Sequence, residues 1–276
     1  MRQFRLKNQM GETFDLMRKD AFFHSPSGLG YKLDIDVETA GYFFLQMYEE
    51  MQQKTISGEM VFKGYSVYQE FVSFCAKAPL VLCYCPLNTW YYVDCKLAQI
   101  DKTEISQTTK RLLCNVDFEC FSTWYESLEV HATSIDPNVG KIYNYTYDYT
   151  YADTRAGSIE VSNNGSLPSP CKLHIKGPCV NPSWALVQSG KILARGGVTA
   201  SIAQGSKLVV DSDPSSLEIA EYTNNNRFVQ NLYQKSDFST ARFLEIPVGS
   251  SKITFSHQGA GLLDAYVEVQ RLASSV

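Results

Sequence analysis

The sequence predicts a mainly β protein built as two units, and three observations predict it. Short runs of alternating apolar and polar residues recur along nearly the whole chain, separated by Gly, Asn and Pro turns. Tyr (17) and Phe (15) far outnumber Trp (3), and the first two favour strands. With 276 residues, 44% of them hydrophobic, the chain is long enough for two compact cores.

Taken in order, residues 1–17 read as a hairpin: Phe4 and Leu6, a turn at Asn8-Gln9-Met10-Gly11, then Phe14 and Leu16. Pro26-Ser27-Gly28-Leu29-Gly30 reads as a loop. Tyr31, Leu33, Ile35 and Val37 then alternate with Lys32, Asp34, Asp36 and Glu38, which predicts a strand with one dry face and one wet, acidic face. Residues 42–53 fit helix or loop without deciding between them. Met60-Val61-Phe62 is a short strand. Tyr68, Phe71, Val72 and Cys75 fall on one stripe of a helix over 65–77, which Pro79 ends. Leu80–Cys85 and Tyr91–Ile100 read as strands, and Leu112, Cys114, Val116, Phe118 and Cys120 alternate with Leu113, Asn115, Asp117 and Glu119. The first half is thus a sandwich or sheet with one helix across it.

A turn-rich stretch around Thr133–Gly140 reads as a linker, giving units at 1–130 and 141–276 with 131–140 between them. In the second half Tyr143, Tyr145, Tyr147, Tyr149 and Tyr151 form a period-two ladder. Further strands are expected at 158–162, 171–176, 185–187, 192–194, 207–211, 243–246, 252–256 and 265–271, the spacing of a sandwich or jelly roll.

Composition narrows the function. A net charge of −4 without a basic block argues against nucleic-acid binding as the main task. No apolar run is long enough to span a membrane, and Met1–Lys7 lacks the apolar core of a secretion signal. The expectation is folding in a cytoplasm, with the eight Cys as reduced, packed thiols.

Few constellations suggest chemistry. Cys83-Tyr84-Cys85 would place two sulfurs on one strand face, but structural zinc asks for a second spaced pair and none exists. None of His24, His131, His174 and His257 sits in a nucleophile context, and His174, between two Lys, reads as a solvated surface residue. Asp211-Ser212-Asp213-Pro214 lacks the run of oxygen donors of a calcium loop and reads as a turn. No catalytic, cofactor-binding or metal-binding residue is predicted. The Tyr143–Tyr151 face is a candidate for core packing, for a protein interface, or for stacking on sugar rings.

Several ordered segments resemble one family. Phe4-Arg5-Leu6-Lys7-Asn8 with Gly11, Pro26–Gly30, and Gly58–Phe62 followed by Tyr65, Tyr68 and Phe71 are similar to the opening of the distal tail protein family of long-tailed phages of Gram-positive bacteria, or the equivalent subunit of a tail-like bacteriocin. Tyr91–Val93 through Lys102–Glu104 and Trp124-Tyr125 continue the resemblance. Gly177-Pro178, Asn181–Trp184, Leu208–Ser212 and Phe243–Pro247 with Gly249 extend it into the second half. The resemblance implies a tail-tube-like N-terminal β-sandwich that builds a hexameric ring, and a galectin-like C-terminal β-sandwich facing outward. It implies as partners the tail-tube protein, the tail-tip or tail-associated lysin protein and receptor-binding proteins, with DNA only passing through the lumen. The location implied is the virion tail, assembled in the host cytoplasm. Some members carry an inserted sugar-binding module, and this chain has no segment long enough to hold one. Within such a ring, Asp34, Asp36 and Glu38 are the candidate lumen-facing stripe, since an acidic wall repels phosphate. A carbohydrate-binding adhesion module is the alternative expectation. A wall hydrolase ranks last, for want of a nucleophile context or metal spacing.

Overall fold

A computed structural model of the chain describes residues 2–131, 133–134, 155–259 and 262–276. The Tyr143–Tyr151 ladder and most of the expected 131–140 linker lie outside the described residues. The chain divides into a first unit, Met1–Glu126 with Ala273–Val276, and a second, Ser127–Leu272.

The first unit begins with β1 (Gln3–Asn8) and β2 (Thr13–Asp15), the expected hairpin. Asn8 shapes its turn: the side-chain Oδ1 accepts from the backbone N–H of Met10 and of Glu12, both at 3.0 Å, and Gly11 supplies a φ of 77°. Next come β3 (Ala21–Ser27), β4 (Leu33–Ala40), β5 (Phe43–Met51), β6 (Thr55–Phe62), helix α1 (Tyr65–Cys75), β7 (Leu80–Cys85), β8 (Tyr91–Lys102), β9 (Leu112–Cys120) and the first residues of β10 (Trp124–His131), whose remainder belongs to the second unit. Part of the expected 26–30 loop is thus the end of β3. Gly28 follows with a φ of 78°, and a Cβ there would overlap the Thr55 carbonyl, so the close approach of β3 to β6 requires glycine.

The main strands run β2-β1-β7-β8-β9-β6-β3, and a bridge between Met17 and Phe22 joins the two ends. Long β8 serves both layers: its first residues pair with β7, its later ones with β9, and the register slips between Leu97 and Gln99. Such a bulge lets one strand turn a sheet over its own core. The core is aromatic. Phe4 stacks on Tyr84 at 4.5 Å and meets Phe23 edge-on at 5.3 Å. Trp124 is fully buried and donates from Nε1 to the Leu29 carbonyl at 2.9 Å. Helix α1 lays Phe71, Phe74 and Cys75 on this core, with Tyr68 and Val72 at its margin. Ala273 and Val276 also pack against it.

The second unit holds β11 (Thr133–Ser134), β12 (Ala156–Asn163), β13 (Ser169–Lys176), β14 (Cys179–Val180), β15 (Ser183–Gln188), β16 (Lys191–Gly197), β17 (Ser201–Ile202), β18 (Ser206–Asp211), β19 (Glu218–Thr223), β20 (Phe228–Asn231), β21 (Glu245–Ile246), β22 (Gly249–Ser256) and β23 (Ala265–Ala273). One sheet runs β23-β13-β18-β19-β20 and the other β11-β12-β22-β15-β16. Leu173, Ile175, Val210, Ile219 and Val267 of the first face Val161, Leu186, Ile253 and Phe255 of the second in one core. This is a β-sandwich, as expected.

Three local readings are corrected. Residues 43–51 are a strand, neither helix nor loop. The dry face expected of Tyr31, Leu33, Ile35 and Val37 is not buried: β4 pairs with β5 alone, and Tyr31, Ile35 and Val37 are exposed. His174 is not solvated. Its ring lies flat on Tyr266 at 4.2 Å, Nε2 is 3.0 Å from Glu268 Oε1, and the residue is buried. The two rings pair across β13 and β23, and that stack excludes the water its polar neighbours suggested.

Candidate assembly surface

The β4–β5 hairpin sets the first unit apart. Ala40 pairs with Phe43 around a two-residue loop, Gly41-Tyr42, with Gly41 at a φ of 64°. Glycine at the first loop position is the mark of a hairpin turn that matches strand twist. That turn is the signal by which the sequence could have disclosed β5, since Phe43-Phe44-Leu45-Gln46-Met47-Tyr48 carries no alternation.

Register assigns every side chain to a face, because directly opposed residues share one. Asp34 opposes Glu50, Asp36 opposes Tyr48 and Glu38 opposes Leu45. Asp34, Asp36 and Glu38 therefore do lie together, joined by Glu50. The Tyr48 hydroxyl donates to Glu50 Oε2, and that bond raises the phenol's pKa. The other face carries Leu33 opposite Met51, Ile35 opposite Glu49, Val37 opposite Gln46 and Thr39 opposite Phe44, with a register slip between Asp36 and Val37. The hairpin thus keeps the acidic face and the apolar face its sequence predicts. Among the described residues nothing covers either face: Tyr42, Phe43 and Phe44 are 99%, 75% and 77% exposed. A lone two-stranded hairpin is marginal in water, and this one also shows aromatic side chains to solvent.

A cleft of about 430 Å³ opens at the hairpin's foot, lined by residues 50–54 and 120–123. Gln53 Nε2 donates to the Cys120 carbonyl there at 3.0 Å. Lys54 Nζ lies 5.2 Å from the centre of the Trp124 ring and is shut off from water, with no hydrogen-bond acceptor among the described residues. Burial pushes its pKa below the usual lysine range.

The rest of the molecule offers little for chemistry. All eight thiols are free and buried. Burial pushes Cys75 and Cys171 up to about 12 and Cys83 and Cys120 up to about 11, the reverse of a nucleophile's need. Cys83 and Cys85 share a face, as their spacing requires, and among the described residues no group of three or more His, Cys, Asp or Glu is placed to hold a metal ion. Asp211 is a turn residue: its carboxylate accepts from the Asp213 N–H and the Ser216 hydroxyl and meets Lys172 Nζ at 2.9 Å. In the second unit a shallow cleft of about 670 Å³ is lined by Ser158, Ser183, Arg195, Asp237, Lys252 and Thr254. Trp184 beneath it is 2% exposed and offers no stacking face. The Tyr143–Tyr151 candidates are outside the described residues.

Comparison with known proteins agrees with the fold. Residues 3–121 match the family model of the distal tail protein, N-terminal domain. No curated protein sequence matches the chain. Among solved structures, a chain of the phage P2 baseplate in its activated conformation with calcium is similar at a TM-score of 0.69 and 17% identity, each chain covered completely. The strontium form of that baseplate gives 0.69 and 18% over the same extent. The Dit protein of phage SPP1, described as a paradigm of the hub adsorption apparatus in phages infecting Gram-positive bacteria, gives 0.65 and 8% identity over 97% of this chain and 98% of its own. At such identities the shared property is the fold. The family match goes further for one part of the chain: residues 3–121 match the N-terminal domain of the distal tail protein, a family of phage tail and baseplate proteins.

Proposed function

We propose that this protein is the subunit of a hexameric ring joining the tail tube to the tail tip and its receptor-binding apparatus. The observation that carries the reading is the uncovered β4–β5 hairpin. Head-to-tail contacts in a closed ring would bury such an amphipathic hairpin against the next copy, and closure would do so for every copy. The first unit builds the ring, and the second faces outward toward receptor-binding proteins. Asp34, Asp36, Glu38 and Glu50 line the lumen, where net negative charge lets DNA slide past without sticking. Assembly takes place in the host cytoplasm, and the finished ring resides in the virion tail.

Negative-stain imaging and native mass spectrometry of the purified chain, alone and with its tail-tube and tail-tip proteins, test this. Six-fold rings are expected. Replacing residues 33–51 by a short Gly-Ser link should leave only monomers. A wild-type chain that stays monomeric in both preparations overturns the proposal. A second reading, recognition of cell-wall saccharide, draws on the shallow cleft of the second unit, whose largely apolar wall also carries the hydroxyls of Ser158, Ser183 and Thr254 and the charges of Arg195, Asp237 and Lys252. It predicts retention on purified cell wall, lost on substituting Asp237 and Arg195. It ranks below the ring because the cleft presents no exposed aromatic ring.

A further inference from the structure

The hairpin's apolar face carries one carboxylate. Glu49 sits opposite Ile35, among Leu33, Val37, Phe44 and Met51. One of its oxygens accepts from Gln46 Nε2 at 2.6 Å, which leaves its charge uncancelled. In the free chain water solvates it. Once anything covers that face, Glu49 is buried with it, and a buried carboxylate persists only beside a cation.

The opposite deficit stands at the hairpin's foot. Lys54 Nζ has three protons to donate, is shut off from solvent and has no acceptor among the described residues. The Trp124 ring face offsets part of the cost, and a ring quadrupole does not replace a carboxylate. The cleft beside it gives the flexible four-carbon stem room to turn outward.

We infer that Glu49 of one copy pairs with Lys54 of the next copy when the apolar hairpin face is covered in the assembly. The inference rests on the ring reading above and adds the residues that set its geometry. An acid on one surface and a base on a different one suit a head-to-tail contact, in which two unlike patches meet. A two-fold dimer would bring like patches together instead. The acidic stripe of the opposite face takes no part and stays free for the lumen.

Native mass spectrometry over a dilution series, with thermal melting of the monomer beside it, tests the pair in the full chain. Lys54→Met should raise the monomer's melting temperature, because an unpartnered ammonium leaves the interior. It should also raise the concentration for half-assembly by about tenfold or more. Glu49→Gln should impair assembly comparably and leave the monomer's melting unchanged. The exchange Glu49→Lys with Lys54→Glu should recover most of the lost assembly. Rings forming at wild-type concentration with either single substitution overturn the pair and leave the ring reading intact. So does an exchanged protein that assembles no better than the sum of its single changes predicts. A wild-type chain that forms no ring removes both.

Discussion

Strands β9 and β4 have the same kind of sequence and opposite fates. Leu112–Cys120 alternates apolar with polar residues, and its apolar side is buried in the first core. Leu33–Ala40 also alternates, yet its apolar side stands in solvent. The difference is in the neighbours. Strand β9 has β8 and β6 on its flanks and a helix and sheet over its dry face. Among the described residues strand β4 pairs with β5 alone. Alternation therefore reports that a strand has a face fit for burial, and not what will bury it. On the ring reading proposed above, the missing cover is another subunit.

That contrast can be broken by substitution. The largest effect belongs to Val116→Asp in β9, which puts an unpaired charge into a fully buried position and should cost about 4 kcal/mol or more, enough to unfold the first unit. The matching change Ile35→Asp in β4 should move monomer stability by less than about 0.5 kcal/mol, since Ile35 is already exposed. Urea denaturation followed by fluorescence measures both. If Ile35→Asp destabilises the monomer as Val116→Asp does, the hairpin is covered within its own chain. Next, Phe118→Ala should cost about 3–5 kcal/mol, and Phe44→Ala close to nothing until copies assemble. Thiol chemistry sharpens the core side of the comparison. Ellman's reagent should find none of the eight thiols in the native protein and all eight in denaturant; rapid native labelling would mean an open core.

The smallest effect is a pH dependence in the second unit. The His174 ring, with Nε2 3.0 Å from its Oε1, holds Glu268 below the usual carboxylate value of 4.5. A depressed folded-state pKa makes stability present above the unfolded value and lost as pH falls through the lower folded one. Stability should thus decline on acidification below about pH 4.5, and Glu268→Gln should flatten that decline. The carboxyl is partly in water, so the amplitude will be modest. An unchanged profile for Glu268→Gln would show that the His174 contact contributes nothing.

Much of the fold was legible because local chemistry and packing agree. Phe4, Leu6, Phe14 and Leu16 are buried as their spacing demands, Asn8 and Gly11 make the turn between them, and the helix stops short of Pro79. Strand β5 was not legible from periodicity, because neither of its faces is buried among the described residues and nothing there selects an alternating pattern. Only Gly41 marks it. Asp34, Asp36 and Glu38 were found as a face, but Glu50 and Tyr48 join them through pairing, which no single strand displays. His174 was misread because the polarity of residues 172 and 176 says nothing of Tyr266, 92 positions later in the chain. Lys54 gave no sign at all: an ammonium is orphaned by its surroundings, not by its sequence.

The packing of Ala273 and Val276 on the first core sets a clock on synthesis. A ribosome delivers residues 3–121 early and residues 273–276 last among those that complete this core. At roughly 5–20 residues per second, the interval between them is on the order of ten seconds or more. During that time the hairpin already displays its apolar face while the core beneath it lacks two of its pieces. Nascent chains on one messenger are close neighbours, and premature pairing of their hairpins would trap subunits that are not yet sealed. If copies pair through their hairpins, closing the first core with residues made after the second unit would postpone that pairing until translation has passed them.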